Sequence, residues 1–291
     1  MLGEVILVGV MVGAVYALVT VGYSMVYGIL KLMNFAHGDV YIFGTLVCLT
    51  LLTKYNLHPV LAILIAAIVG GGLASLVELL VYRRLRAEQH RLISMITALG
   101  AAYVIQNITE LNWGNQVMFF PSIVKSKFIN FWGLQISVTH IITLFVAVLC
   151  IAVLILFMRY SRYGKAIDCV SQDMDAASLM GIPINRIVSS VYFMGGLLGV
   201  IGGVLYSSSY NAVSLGMGFR GTLVAFTAAV IGGIGSLGGA LLGGMILGLS
   251  ENLIGVYISS SYRDPLMYSL LIIMLLVKPT GILGSSDQAK V

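Results

Sequence analysis

Four stretches of this 291-residue sequence carry residue types or spacings that could bear on function. In the first, Asn34-Phe-Ala-His-Gly-Asp39, an amide, an imidazole and a carboxylate stand together at the head of an apolar run. Ionisable groups in lipid-like surroundings are costly and usually face a cavity, a partner or a pathway. A plainer role is open to them: Asn34 caps a helix, and Asp39 stays solvated in its first turn, where the helix dipole favours a carboxylate. His37 has no second His or Cys at ligand spacing, so the pattern offers no metal site. In the second stretch, Gln106, Asn107 and Glu110 share one apolar run, with Glu251 in another. These groups either bond between helices or line a polar path.

The third stretch runs from residue 231 to 244, and seven of its fourteen residues are glycine, including Gly232, Gly233 and Gly235. So many glycines make an unbroken helix uncomfortable, and a broken or kinked element is predicted. Broken helices in transporters expose backbone groups that can line a substrate cavity. Gly235, Gly239 and Gly243 also repeat every fourth residue, as do Gly195, Gly199 and Gly203, a spacing that lets helices pack closely. The sequence lacks a Walker-type phosphate loop, an H-E-x-x-H metal helix and a G-x-S-x-G nucleophile turn. Nothing in it argues for catalysis.

The fourth stretch, Gly164 to Gly181, is the most informative soluble piece. Ser171 or Asp173 can cap a helix, Gly181 can end it in a left-handed turn, and Pro183 forbids its continuation. A short helix is predicted near residues 172–180. Asp173, Ala176, Ala177 and Met180 fall at i, i+3, i+4 and i+7, giving one face that another protein could approach closely. An amphipathic connector lying on the rest of the chain fits the same periodicity.

The elements that must position these residues follow from composition. Hydrophobic residues make up 59% of the chain and charged residues only 9%, against about 25% charged in soluble domains. Apolar runs recur from end to end with no polar domain between them, which predicts a single membrane domain over residues 1–291. The first uncharged run, 5–30, would be about 39 Å long as a helix, against a hydrocarbon core of about 30 Å. It lacks a basic leader and reads as a span rather than a signal peptide. Further spans are predicted at 35–53, 59–82, 92–111, 139–158, 187–207, 222–258 (crossing once or twice) and 265–283. The fold class is therefore all-α: a polytopic bundle of about eight or nine spans, with a glycine-rich broken helix and a short cytoplasmic helix in a loop at about 159–186. Cys48, Cys150 and Cys169 lack metal spacing and read as packing residues.

The net charge of +5 comes from sixteen Lys and Arg residues beside the apolar runs, not from a basic surface, so nucleic acid is not expected as a partner. Arg83, Arg84, Arg86 and Arg91 mark one short loop as cytoplasmic, and Arg159, Arg162, Lys165 and Arg186 mark another. Two spans separate these loops, so their parity agrees. The N-terminus is then outside, as are Lys54, Lys125 and Lys127. If 222–258 crosses twice, eleven basic residues lie inside and five outside, with the C-terminus inside. A re-entrant first half gives ten and six.

Taken together, several motifs resemble the permease subunits of branched-chain amino acid ATP-binding-cassette importers, of the LivH type. They are Asn34–Asp39, Thr97-Ala-Leu-Gly100 leading to Gln106-Asn107, the Gly164–Gly181 stretch, the glycines from 232 to 244, and Lys278-Pro-Thr-Gly-Ile-Leu-Gly284. The last departs slightly, since relatives commonly carry Arg-Pro and Leu-Phe-Gly there. The resemblance covers nearly the whole chain. It implies a non-enzymatic, multi-pass subunit of the bacterial cytoplasmic membrane that moves Leu, Ile or Val inward. Its implied partners are a homologous second permease, two ATPase subunits that bind ATP and Mg, and an extracytoplasmic substrate-binding protein. No cofactor is implied in this chain. The 172–180 helix becomes the element coupled to the ATPase through Gly164, Asp173, Ala176, Ala177, Met180 and Gly181. Asn34, His37, Asp39, Gln106, Asn107, Gly232, Gly233, Gly235 and Glu251 become candidates for the substrate path. Related permeases carry urea or short amides. An ion-coupled secondary transporter or an intramembrane enzyme would explain parts of the pattern.

Overall fold

Helix α1 (Leu2–Leu30) is apolar on every side and is buried without interruption from Met11 to Val26. A helix with no polar face belongs in an interior, and in the computed structural model α1 runs through the centre of the bundle. The structure describes residues 2–85, 91–123, 128–131 and 134–284; Arg86, Lys125, Lys127 and Lys290 of the charge map lie outside that set. After α1 come α2 (His37–Thr53), α3 (Pro59–Leu85), α4 (Arg91–Trp113), α5 (Val138–Tyr160), α6 (Arg162–Gln172), α7 (Met174–Leu179), α8 (Ile184–Tyr210), α9 (Gly216–Gly232), α10 (Leu237–Tyr257) and α11 (Arg263–Val277). Helices α5, α8, α9 and α10 pack around α1.

Glycines let α1 and α8 meet backbone to backbone. A Cβ on Gly22 would stand 2.8 Å from the carbonyl oxygen of Gly195, and one on Gly195 would stand 2.8 Å from that of Gly22. With no hydrophobic drive between helices in lipid, such backbone-to-backbone contact supplies much of the attraction. The outer helices show the reverse pattern. Leu64, Ile68, Val104, Ile108, Phe145 and Val153 on α3, α4 and α5 are all exposed, as a lipid-facing surface allows.

Among the described residues, five helices are both long and apolar enough to cross a bilayer: α1, α3, α5, α8 and α10. Helices α2 and α9 are apolar but have 17 residues each, about 25 Å of helix. Helix α2 is short because it starts inside the bundle. His37, its first residue, lies edge-on to Tyr23 with ring centroids 5.7 Å apart, two turns before α1 ends. The segment 31–36 therefore doubles back along α1 before α2 begins.

Two features depart from the all-helical expectation. Strands β1 (Met118–Phe119), β2 (Phe128–Phe131), β3 (Leu134–Ser137) and β4 (Ala212–Val213) form two small antiparallel ladders, β1 with β4 and β2 with β3. They occupy connections between helices, where backbone groups left unpaired by a helix end need partners. Helix α3 also contains one π-helical turn, Glu78–Tyr82. There the buried Glu78 accepts from Arg83 Nη2 at 3.1 Å and from Ser189 Oγ at 2.5 Å, tying the end of α3 to α8.

Candidate functional site

The residues singled out from sequence fall in five places. The first is the head of α2, where Asn34, His37 and Asp39 are all buried. Asn34 is not the cap of α2. Ala36 holds that position without a side-chain bond, while Asn34 Oδ1 accepts from Tyr82 Oη at 3.3 Å. Asn34 lies two residues before the cap position, and its side chain is committed to Tyr82 instead. His37 packs against Gly199, and its Nε2 is buried without a hydrogen-bond partner among the described residues. The backbone N–H of Gly38 donates to Thr222 Oγ1 at 2.9 Å, locking α2 to α9.

From there Asp39 looks into a second place, a cleft of about 280 Å³ between α2, α4 and α9. Phe35, Asp39, Leu99, Ala102, Tyr103, Gln106 and Phe219 line it. Helix α4 is held in register by Trp113, whose Nε1 donates to Thr50 Oγ1 at 2.8 Å and whose ring lies edge-on to Phe43. Gln106 thus lines the same cleft as Asp39. Asn107 does not: it is exposed, and its Nδ2 donates back to the Tyr103 carbonyl of its own helix at 2.7 Å.

Glu251 belongs to a third place. Its Oε2 accepts from Tyr16 Oη and its Oε1 from Arg220 Nη2, both at 2.8 Å, and Arg220 Nε reaches Asp264 Oδ1 at 2.8 Å. This network ties together α1, α9, α10 and α11. It borders a mainly apolar cavity of about 40 Å³, room for roughly three waters, not for an amino acid. The sequence reading placed Glu251 with the path residues and overlooked Arg220 and Asp264. The available signal was an arginine in an apolar stretch, which at membrane depth needs a carboxylate.

The glycine-rich break is the fourth place. Helix α9 ends at Gly232, Gly233 and Gly235 take φ of +115° and +85°, and α10 starts after Ser236, whose hydroxyl accepts from Gly239 N. Gly232 and Gly233 are buried, Gly235 is exposed, and Gly235 N donates to Ser24 Oγ at 3.0 Å. The segment after α11 folds onto this break. The N–H groups of Ile282 and Leu283 donate to the carbonyls of Ile231 and Gly232 at 2.9 and 2.8 Å.

The predicted connector contains two helices, not one. Ser161 caps α6, which buries Gly164, Ile167 and Val170; a Cβ on Gly164 would collide with the Met158 carbonyl. The charges around Gly164, Ile167 and Val170 hid that one-sided pattern from the sequence reading. Asp173 caps α7, its Oδ1 accepting from Asp175 N and Ala176 N at 2.9 Å each; Ser171 bonds instead to the Asp168 carbonyl. Gly181 has φ +81° and ends the turn. One placement needs correction: Ala177 turns inward and is only 4% exposed. Ile182 N donates to its carbonyl and pulls that side of the turn onto the bundle. The open side carries Ala176, Leu179 and Met180, the last two 89% and 83% exposed.

This geometry is set out along a sequence that, over residues 5–277, matches the family described as branched-chain amino acid transport system / permease component. The chain belongs to that permease family. It is 36% identical over 296 aligned positions to the high-affinity branched-chain amino acid transport system permease protein LivH of Escherichia coli, covering 97% of this chain and 96% of the relative. It is 36% identical over 295 positions to the permease protein BraD of Pseudomonas aeruginosa, with the same coverage. PsaBC from Streptococcus pneumoniae, solved in complex with Fab, superposes with a TM-score of 0.52 at 16% identity, over 96% of this chain and 92% of that one. That likeness is one of fold. As a permease, the chain is a transport subunit whose membrane-crossing helices and buried polar groups need no catalytic centre.

Proposed function

We propose that this permease is the membrane-spanning subunit of an ATP-binding-cassette importer that carries Leu, Ile and Val into the cytoplasm. The observation that carries this reading is the end-to-end correspondence with permeases named for that transport. ATP and Mg are bound by two separate ATPase chains, a second homologous permease completes the pathway, and an extracytoplasmic binding protein delivers the cargo. The chain sits in the bacterial cytoplasmic membrane with its N-terminus outside, its C-terminus inside and the α6–α7 connector in the cytoplasm. Leu179 and Met180 support the coupling part of the reading. Two large apolar side chains at the tip of a capped turn are costly in water and fit a hydrophobic recess in a partner. Asp39 and Gln106, with Asn34 and His37 at their base, line the path.

The test is uptake by proteoliposomes that hold the permease with its co-purified subunits. Labelled leucine, isoleucine and valine should accumulate only with binding protein outside and ATP at the ATPase face. Accumulation of urea or acetamide in place of all three would overturn the cargo assignment.

A further inference from the structure

The cleft between α2, α4 and α9 carries one anion, one neutral amide and apolar or aromatic walls. Asp39 is 8% exposed, and among the described residues no other side chain bonds to its carboxylate. A buried carboxylate left without a counter-charge is expensive, more so at membrane depth. Arg220, on the neighbouring helix α9, is committed to Glu251 and Asp264. Helix α9 closes one side of the carboxylate, since a Cβ on Gly218 would come within 3.1 Å of Asp39 Oδ1. The cleft opens past Tyr103 and Phe219, both exposed. At about 280 Å³, the cleft is near the lower end of small-molecule sites, about 300 Å³. It is therefore open, sized for a small molecule, and lacking a cation.

We propose that Asp39, with Gln106 across the cleft, is a subsite that receives the α-ammonium group of the cargo while the apolar walls receive its hydrocarbon side chain. This rests on the reading that amino acids are the cargo, and it adds which atoms of the cargo are recognised. The ammonium supplies the charge that the carboxylate lacks, and Gln106 Oε1 can accept a second ammonium N–H. An anion is repelled by Asp39, and an uncharged amide gains a hydrogen bond there but no ion pair. The subsite therefore favours amino acids over the short amides and urea that a neutral cleft would accept equally.

The test compares Asp39→Asn, Asp39→Glu and Gln106→Leu in the full complex, reading leucine uptake per ATP hydrolysed in the presence of loaded binding protein. Asp39 is the third residue of α2 and not its cap, so Asp39→Asn removes the charge while keeping the size of the side chain and one acceptor oxygen. Uptake per ATP should fall about tenfold or more, the scale of one hydrogen bond to a charged group. Asp39→Glu should restore part of it, and Gln106→Leu should lower it by less. An unchanged ratio in Asp39→Asn would leave Asp39 a helix-end residue and overturn the proposal. Failure of the Asn complex to assemble, when the Glu complex assembles, would make the charge structural and overturn it equally. If neither assembles, an unchanged ratio in Gln106→Leu overturns it. If the wild-type complex takes up none of the three amino acids, the cargo reading itself falls and this subsite with it.

Discussion

Leu179 and Met180 make the exposed end of α7, and Ala177, two and three residues away, is buried beneath it. Substitutions on the two sides of this one turn should therefore fail differently. Met180→Glu should abolish co-purification of the ATPase while leaving the permease as stable in detergent as before, because it carries an unpaired charge only into the contact. Ala177→Glu should lower the melting temperature of the permease itself. Asp175→Lys, on an exposed position, should alter neither measurement much. If Met180→Glu complexes retain the ATPase, the contact surface lies elsewhere, with Arg83 and Arg84 the next candidates. Arg220 allows a second residue-scale test. Arg220→Met leaves Glu251, 4% exposed, with Tyr16 as its one remaining partner among the described residues, and should cost about 3 kcal/mol. Arg220→Met combined with Glu251→Gln should cost less than the single change, a reversal readable from detergent melting curves. Glu251 was legible in the sequence as a charge within an apolar run. Its partner was not, because pairing between α9 and α10 is set by packing that no local spacing encodes.

At the scale of elements, the α9–α10 break is held by backbone against backbone. A Cβ on Gly243 would lie 1.9 Å from the Ala228 carbonyl oxygen, whereas one on Gly238 would meet only the Leu283 side chain, at 3.6 Å. Gly243→Leu should therefore separate α9 from α10 and cost more than about 3 kcal/mol, beyond the usual overpacking penalty. Gly238→Leu should be tolerated with little change in uptake or melting temperature. Equal tolerance of both would mean that the helices do not meet along this line. Glycine density made the break legible beforehand. What it could not reveal was the capping of α9 by Ile282 and Leu283, since a stretch of glycines says nothing about which distant segment satisfies its carbonyls. Helix α6 was missed for a related reason: its buried face of Gly164, Ile167 and Val170 is narrow and flanked by Arg162, Lys165 and Asp168.

The whole molecule reads well from hydropathy at its longest spans and less well at the short ones. Helices α1, α3, α5, α8 and α10 stood out because each is an apolar run long enough for a bilayer. Helix α2 was placed, but its start within the bundle was not fixed, since the path of 31–36 depends on Tyr82 and Tyr23 receiving it. The orientation of the bundle has a built-in reporter. Cys169 on α6 is exposed, whereas Cys48 is buried. An impermeant thiol reagent should label Cys169 in inside-out vesicles and not in intact cells. Val117→Cys, at a position 72% exposed beyond α4, should show the opposite preference, and labelling of both from the same side would refute the map. The clasp of the final segment on the α9–α10 break has a consequence for biosynthesis. Ile231 and Gly232 emerge from the ribosome about fifty residues before Ile282 and Leu283 can reach them, so the bundle stays open at this seam until those two residues have been made. Domains ordinarily fold as they are made, N-terminal parts first. Here a chain cut short after Val277 would keep all of its helices yet present an unclosed seam, a form that quality-control proteases can tell from the finished protein.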